Sequence, residues 1–307
     1  MKVAFLEVVN FTDKGTDAYL RNCRYLANFL RAKGHWTKIW YLDDIDQCAD
    51  TDYDVIIWSY SSFYANFRAM AQIIKQNPKA RIFWLTNEYD LRPNGTVVDE
   101  AKKRGFDVIA NYENPVIITH KKHHFLNLNL LFLEPKDIKD KKFNICYYGT
   151  YRKDRAKYFK KYINSTNFIL SSTTSNYKKF ASIGCKFRPC AKFKWGKNSQ
   201  TLGLFKYSLY IEDEYIHTHF NNLANRFYEA LSNETVTLFD RSCINTIKRS
   251  EIGTLGLDYE PFLIDSLDNL SERNYVKDWE IQKTWRDKIL LEREKMLEQF
   301  YKIIIGV

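Results

Sequence analysis

The sequence lacks the features that mark membrane, exported or zinc-binding proteins. No run approaches 18 uncharged apolar residues, so no membrane-spanning helix is predicted. The opening stretch, MKVAFLEVVNFTDKG, turns acidic too soon for a signal peptide and is interpreted as a first buried strand. The six cysteines are scattered without CxxC spacing, which argues against disulfides and zinc. We therefore expect reduced thiols and a cytoplasmic location.

Nucleotide-binding fingerprints and repeats are also absent. Neither a Walker loop nor a GxGxxG pattern occurs, so an ATPase or an NAD-binding site of those types is not supported. No repeat of roughly 20 to 50 residues is visible. The chain of 307 residues is 45% apolar and 16% aromatic, which is enough for two cores and excludes a disordered or fibrous protein.

Positive charge is plentiful and lies mostly in one segment. Residues 141–197 contain fifteen Lys or Arg and one acid, Asp154, so this segment has a net charge of +14. The remainder of the chain has a net charge of −4, which gives the formal total of +10. A concentrated basic block favours a polyanionic partner, either nucleic acid or a nucleoside diphosphate. An ordinary lysine-rich solvated surface is the alternative interpretation.

Short apolar segments alternate with helical patterns and polar links, which is typical of parallel sheets wrapped by helices. Predicted strands or apolar segments cover 2–10, 37–42, 54–60, 80–86, 106–110, 126–133, 143–148, 168–172, 207–211, 236–239 and 261–265, and predicted helices cover 17–33, 65–76 and 221–231. The charged run at 134–142 is the candidate linker. We predict two Rossmann-like domains, 1–137 and 138–275, and C-terminal helices over 276–307 that pack back on the first domain.

The stretch GTYRKDR, residues 149–155, is the strongest candidate for a phosphate site. Gly149 ends a predicted strand and allows a ligand to approach the backbone, while Thr150 and the following helix start present N–H groups to an anion. Arg152, Lys153 and Arg155 add positive charge at the same place. A basic helix start that points to water is the alternative, since cations there oppose the helix dipole.

A predicted strand–helix–strand unit at 207–240 places polar side chains after its first strand, where parallel sheets bind ligands. Glu212, Asp213 and Glu214 form an acidic triplet there. We favour contacts to a ribose or a base; a divalent-ion site and a solvated turn are the alternatives.

Together these motifs resemble the two-domain GT-B glycosyltransferases. The resemblance is carried by a second half that opens with YYGTYRKDR, and by RFYEAL followed by VTLFD. The unit at 207–240 resembles the donor-binding segment of fucosyltransferase-like members. In size, basicity and layout the chain also resembles bacteriophage enzymes that glycosylate hydroxymethylated pyrimidines in DNA, which implies the host cytoplasm as its location.

The resemblance implies two Rossmann-like domains facing each other across a cleft, with the sugar nucleotide on the C-terminal domain and the acceptor on the N-terminal one. Glu229 would bind the ribose hydroxyls, and Arg226, Arg152 and Lys153 would neutralise the diphosphate. A UDP-sugar is the favoured donor, and no essential metal is expected.

Carboxylates of the first half are candidates for a general base that deprotonates the acceptor hydroxyl. Glu88 and Asp90 follow a predicted strand in the sequence TNEYD, and carboxylates at a strand's carboxyl end suit this role. Asp13 and Asp17, in the loop after the first strand, are the competing candidates, although Asp17 can instead cap a helix.

Basic and aromatic residues interleave in CKFRPCAKFKW, residues 185–195, a combination that suits nucleic-acid phosphates and base stacking. The nucleic-acid-binding candidates are Lys186, Arg188, Lys192 and Lys194, with aromatic core packing as the alternative for the rings. His120, His123 and His124 are interleaved with lysines and are predicted to form a solvated loop rather than a metal site.

We therefore expect a glycosyltransferase that moves a sugar from a nucleoside-diphosphate donor to a hydroxyl, on a hydroxymethylated base in phage DNA. A glycosyltransferase for surface polysaccharide and a non-catalytic nucleic-acid-binding protein are the alternatives.

Overall fold

The chain forms two compact units. The computed structural model describes residues 1–7, 18–41, 45–59, 67–86, 96–111, 123–136, 140–193, 199–212 and 221–307. The first unit comprises Met1–Leu131 and Arg293–Val307, and the second comprises Phe132–Glu292. All six cysteines are free thiols. No helix in the described ranges is long and apolar enough to cross a membrane.

The first unit contains a parallel sheet of six strands in the order β2-β1-β3-β4-β5-β6. Its elements are β1 (Lys2–Leu6), α1 (Ala18–Ala32), β2 (Trp36–Trp40), β3 (Val55–Ser59), α2 (Phe67–Gln76), β4 (Arg81–Thr86), α3 (Thr96–Lys103), β5 (Asp107–Ala110) and β6 (His123–Phe125). A 3-10 helix, Leu128–Phe132, follows the last strand.

Buried tryptophans fill the centre of this first sheet. Trp58 of β3 and Trp84 of β4 are register partners, and their rings stack with centroids 5.1 Å apart and an interplanar angle of 3°. Because side chains at paired positions of neighbouring strands point to the same face, the strand register itself brings the two rings together.

The second unit contains another parallel sheet of six strands, in the order β12-β11-β10-β7-β8-β9. Its elements are β7 (Phe143–Tyr148), α4 (Ala156–Tyr162), β8 (Asn164–Ser172), α5 (Thr174–Ser182), β9 (Lys186–Ala191), β10 (Phe205–Tyr210), α6 (Asn225–Ser232), β11 (Val236–Asp240), α7 (Ile244–Arg249), α8 (Glu251–Thr254) and β12 (Leu263–Ile264).

Aromatic side chains attach the helices of the second unit to its sheet. Tyr147 of β7 contacts Phe159 of α4, with centroids 5.2 Å apart, and Phe159 contacts Phe180 of α5 at 4.8 Å. On α6, Phe227 lies 5.7 Å from Phe239 of β11. Edge-to-face and tilted ring pairs of this kind add to the free energy gained from apolar burial.

The chain ends in a long helix, α9 (Tyr275–Ile305). Trp285 of this helix packs against Phe262 with centroids 5.0 Å apart, and the Gln282 amide exchanges hydrogen bonds of 2.8 Å with the backbone of Thr237. Apolar side chains along this helix are buried: Trp279, Trp285, Ile289, Met296 and Phe300.

The prediction of two parallel α/β sheets is confirmed, and β3, β4, β5, β7 and β11 lie within one residue of their predicted bounds where the structure describes them. One local prediction is wrong. The predicted apolar segment 126–133 contains a 3-10 helix, and a strand lies just before it. His123 and His124 therefore belong to β6 rather than to a solvated loop, because backbone pairing with β5 overrides their polarity.

Candidate functional site

The order of strands in the second sheet creates a crevice beside β7. From β7 the chain proceeds outward through β8 to β9, and then it returns to place β10 on the other side of β7. The loops that leave β7 and β10 therefore diverge to opposite sides at the carboxyl ends of these strands. In open α/β sheets, ligands bind at this kind of switch point.

A cavity of about 240 Å³ occupies this position. Its walls come from the loops after three neighbouring strands and from the first turns of α6. The lining residues are Tyr148, Gly149, Thr150, Arg152, Arg155, Ser171, Ser172, Thr173, Lys192, Phe193, Asn225, Arg226 and Glu229. We call this cavity the switch-point pocket. Basic and hydroxyl side chains converge on it, which suits an anionic ligand that carries hydroxyl groups.

Gly149 gives the pocket its floor. Its φ of +153° is a backbone conformation that L side chains rarely adopt, and a Cβ built there would lie 3.3 Å from the Tyr147 hydroxyl. The Ser172 hydroxyl donates to the Gly149 carbonyl at 2.6 Å, and the Gly149 N–H donates to the Ser171 carbonyl at 3.2 Å. The loop after β7 is thus held against β8 with its backbone open to the pocket.

Two arginines of the pocket wall share one buried carboxylate. Arg155 Nη2 lies 2.9 Å from one oxygen of Glu212, and Arg226 Nη2 lies 2.9 Å from the other. The Glu212 side chain is 2% exposed, whereas those of Arg155 and Arg226 are 9% and 16% exposed. One negative and two positive charges leave a net charge of +1 at the wall, and we call this group the Arg–Glu–Arg triad.

Arg226 is held by further contacts. Its Nη1 donates to the Tyr147 hydroxyl at 3.1 Å and to the Ile211 carbonyl at 3.4 Å, and its guanidinium lies 5.5 Å from the ring centroid of Tyr210. Burial alone would lower the pKa of Arg226, but the neighbouring Glu212 carboxylate and the tyrosine oxygens outweigh it and raise the pKa. This guanidinium therefore stays charged and fixed in orientation.

Two helices also begin at the pocket. Thr173, the N-cap residue of α5, and Asn225, the first residue of α6, both line it. Free N–H groups at helix N-termini favour anions, and they reinforce the attraction of the arginines. The arrangement can hold a phosphate-bearing ligand and stabilise negative charge that develops on it.

The structure brings most of the predicted donor-site residues together. Six of them line the switch-point pocket: Gly149, Thr150, Arg152, Arg155, Arg226 and Glu229. Glu212 lies behind the wall in the triad, and Lys153 is exposed but is not among the lining residues. Their assigned roles toward the ribose and the diphosphate stay predictions.

The other predicted site residues lie apart from this group or outside the described residues. Lys186 and Arg188 are exposed on β9, and Lys192 follows this strand into the pocket. The remaining candidates fall outside the described ranges: Asp13, Asp17, Glu88, Asp90, His120, Lys194, Asp213 and Glu214. Within the described ranges, no group of three His, Cys, Asp or Glu side chains is placed to hold a metal ion.

One buried carboxylate escaped prediction. Glu7 follows β1 at the switch point of the first sheet, where β1 lies between β2 and β3, and it is fully buried. It accepts a hydrogen bond of 2.8 Å from the Ser59 hydroxyl, at the end of β3. The available signal was an acid that directly ends the apolar strand KVAFL, a position that polar ligand-binding residues often occupy.

Two units, each with a parallel six-stranded sheet wrapped by helices, define the GT-B glycosyltransferase fold. Solved structures with this fold match nearly the whole chain. An alpha-glucosyltransferase in complex with UDP and a 13-mer DNA containing an HMU base has a TM-score of 0.62 and 11% sequence identity, over 98% of this chain and 95% of that one.

A second solved structure, an alpha-glucosyltransferase in complex with UDP-glucose and DNA containing an abasic site, has a TM-score of 0.60 and 10% identity over 97% of this chain and 94% of that one. No protein-family model and no curated protein matches the sequence. At 11% and 10% sequence identity, this structural similarity establishes the fold alone. The resemblance of 207–240 to fucosyltransferases stays a prediction.

Proposed function

We propose that this protein transfers glucose from UDP-glucose to a hydroxyl group on a modified base in DNA. The observation that carries the proposal is the switch-point pocket, where basic side chains and helix N-termini converge in a GT-B fold. Structures that share this fold were solved with UDP, with UDP-glucose and with DNA. The basic block of the second unit supports the DNA acceptor.

In this proposal the pocket binds the nucleoside diphosphate. Arg152 and Arg226 neutralise the phosphates, and they stabilise the negative charge that grows on the leaving diphosphate as the glycosidic bond breaks. Glu229 lies about one turn after Asn225 on α6 and lines the same pocket, where it accepts hydrogen bonds from the ribose hydroxyls. Side-chain cations supply this stabilisation, so the proposal requires no metal ion.

The acceptor is a hydroxymethylated pyrimidine, which carries the hydroxyl group that attacks the sugar. A base inside a duplex is inaccessible, so the target nucleotide has to leave the stack. A carboxylate of the first half, with Glu88, Asp90 and Asp13 as candidates, takes the hydroxyl proton if the reaction inverts the sugar configuration. An enzyme that modifies DNA in this way works in the cytoplasm, the host cytoplasm if it is phage-encoded.

Transfer of labelled glucose tests the proposed reaction. Substitutions of the neighbouring residues Arg152 and Lys153 test whether the pocket binds the diphosphate. We expect incorporation from UDP-glucose into duplex DNA that contains hydroxymethylated pyrimidines, and none into the unmodified duplex. Arg152→Ala should raise the KM for UDP-glucose roughly tenfold, because it removes a charge-assisted contact to the diphosphate.

Lys153→Ala is the matched control. The substitution removes the same charge as Arg152→Ala, at the neighbouring exposed residue, but Lys153 does not line the pocket. The KM of this variant for UDP-glucose should stay within about twofold of the wild type, because Lys153 does not line the pocket and solvent screens its charge from the diphosphate. Equal effects of the two substitutions would place the diphosphate elsewhere. Failure of every nucleotide sugar to label hydroxymethylated DNA would refute the proposed reaction.

A further inference from the structure

The edge strand β9 carries its positive charge on one face. Side chains alternate along a strand, so Lys186, Arg188 and Cys190 point to one side, and Phe187 and Pro189 point to the other. The ring of Phe187 lies against α5, with its centroid 6.3 Å from that of Phe180. Lys186 and Arg188 are exposed, so they form a short basic row on the face turned away from α5.

The acidic side chains that the structure describes do not neutralise this row. Among the residues that the structure describes, neither Lys186 nor Arg188 forms a salt bridge. Asp154 is the one acid between positions 141 and 197, and it belongs to the turn before α4 instead of β9. The charge of the row is therefore available to an anion from solution.

The row leads into the switch-point pocket. Lys192 comes directly after the last residue of β9 and lines the pocket. Positions on the same face of a strand lie about 6.6 Å apart, which is the interval from Lys186 to Arg188, and the six residues from Lys186 to Lys192 span at most roughly 20 Å. One strand of duplex DNA carries a phosphate about every 3.4 Å along the helix axis, so the shorter interval covers about two phosphates and the longer one about six.

We propose that β9 is a phosphate-binding track for one strand of duplex DNA. Lys186 and Arg188 contact phosphates a few nucleotides away from the target base, and the track aligns the strand with the pocket at Lys192. The inference rests on the proposed function for the identity of the pocket's ligand. It assigns the DNA contact to the edge of the second sheet, not to the basic surface as a whole.

Equilibrium binding of an unmodified fluorescent duplex, measured by anisotropy at several salt concentrations without nucleotide sugar, tests the track. Each phosphate contact contributes about 0.9 to the slope of log K against log salt. The double variant Lys186→Ala, Arg188→Ala should therefore lower the slope by about 1.8 and weaken binding roughly tenfold at ~100 mM salt.

The double variant Lys178→Ala, Lys179→Ala is the matched control. It removes two exposed charges from α5, on the other side of β9, and should leave the slope unchanged. The exchange Lys186→Arg, Arg188→Lys keeps both charges and should retain the wild-type slope. Melting temperatures close to the wild type would show that the variants are folded, as expected for exposed positions.

Two results would overturn the track. If the β9 variant keeps the wild-type slope, the charges protect the sheet edge from pairing with other chains and do not bind DNA. If both double variants lower the slope equally, DNA responds to net charge alone. Absence of glucose transfer would refute the proposed function and leave this comparison of slopes valid, because the binding assay contains no sugar donor.

Discussion

The carboxylate of Glu212 lies between two guanidinium groups, beneath the wall of the switch-point pocket. Burying a carboxylate costs several kcal/mol of solvation free energy, and ion pairs offset this cost only when their geometry is good. Here each oxygen has one arginine nitrogen at 2.9 Å, and the pair between Arg226 and Oε1 is an ion pair without hydrogen-bond alignment. Glu212 therefore acts on the pocket through Arg155 and Arg226, and it leaves them with a net positive charge toward a ligand.

Replacing Glu212 by Gln should be strongly destabilising. The substitution leaves two buried guanidinium groups facing each other without a counter-charge, and we expect a loss of about 3–5 kcal/mol in the free energy of unfolding. Urea denaturation measures this loss. The control, Glu280→Gln on the exposed side of α9, should change stability by less than about 0.5 kcal/mol. Equal stabilities of the two variants would show that the triad has no structural role.

Lys141 is a second residue whose environment sets its chemistry. Its Nζ donates to the carbonyls of Gly203 at 2.8 Å and of Asn233 at 3.0 Å. Burial lowers the pKa of Lys141 to about 8, although Glu234 and Cys146 partly oppose this. The free lysine titrates near 10.4. Between these two values the unfolded chain binds more protons than the folded protein, so stability from this group rises with pH.

The variant Lys141→Met should remove this pH dependence. We expect the stability of the wild type relative to the variant to increase by on the order of 1 kcal/mol as the pH rises from about 7.5 to 10. Chemical denaturation at both pH values gives the difference. The matched control is Lys142→Met at the adjacent exposed position, which removes the same charge outside the buried site. If the stability of the wild type relative to Lys141→Met decreased as the pH rises, the lowered pKa of Lys141 would be contradicted.

Among the secondary-structure elements, α9 has a defined end. The last carbonyl groups of a helix lack partners within the helix. Arg81, the first residue of β4, donates to the carbonyls of Ile304 at 3.0 Å and of Ile303 at 3.1 Å. A cation at this end also interacts favourably with the helix dipole. One side chain thus ties the last turn of the helix to the first sheet.

Substituting Arg81 by Met should release the last turn of α9. We expect a loss of about 1–2 kcal/mol and faster amide exchange at Gly306 and Val307, whose N–H groups bond the Lys302 carbonyl. Hydrogen exchange followed by mass spectrometry or NMR reports this change. Lys79→Met removes a nearby exposed charge and should leave these amides unchanged. Unaltered exchange in the Arg81 variant would show that the cap contributes nothing.

For the whole molecule, the distribution of charge matters more than its total. The segment with net charge +14 lies within the second unit, which also contains the switch-point pocket, while the rest of the chain carries −4. Such asymmetry concentrates the electrostatic field on one unit and speeds the approach of anionic partners. The effect falls with ionic strength, which is why the salt dependence of DNA binding is the informative measurement.

The two parallel sheets could be predicted because most of their strands are buried on both faces. The segment VIIWS is a continuous apolar run, and FNICYY is an apolar run interrupted only by Asn144, so their bounds follow directly from the pattern. The edge strand β9, KFRPCA, has cations and a proline at exposed positions, so it carries no such signal. Helix α5, TSNYKKFAS, is too polar and too short to stand out.

The sequence by itself determined the alternation of strands and helices, the place of the basic block and the residue types that could bind a phosphate. Only the tertiary structure decided which of those residues meet. Lys192 joins Arg152 and Arg226 at one pocket, whereas Glu212 turns beneath it to hold two arginines. The physical reason is strand order: local periodicity records which residues of a strand are buried, but not that β10 returns to lie beside β7.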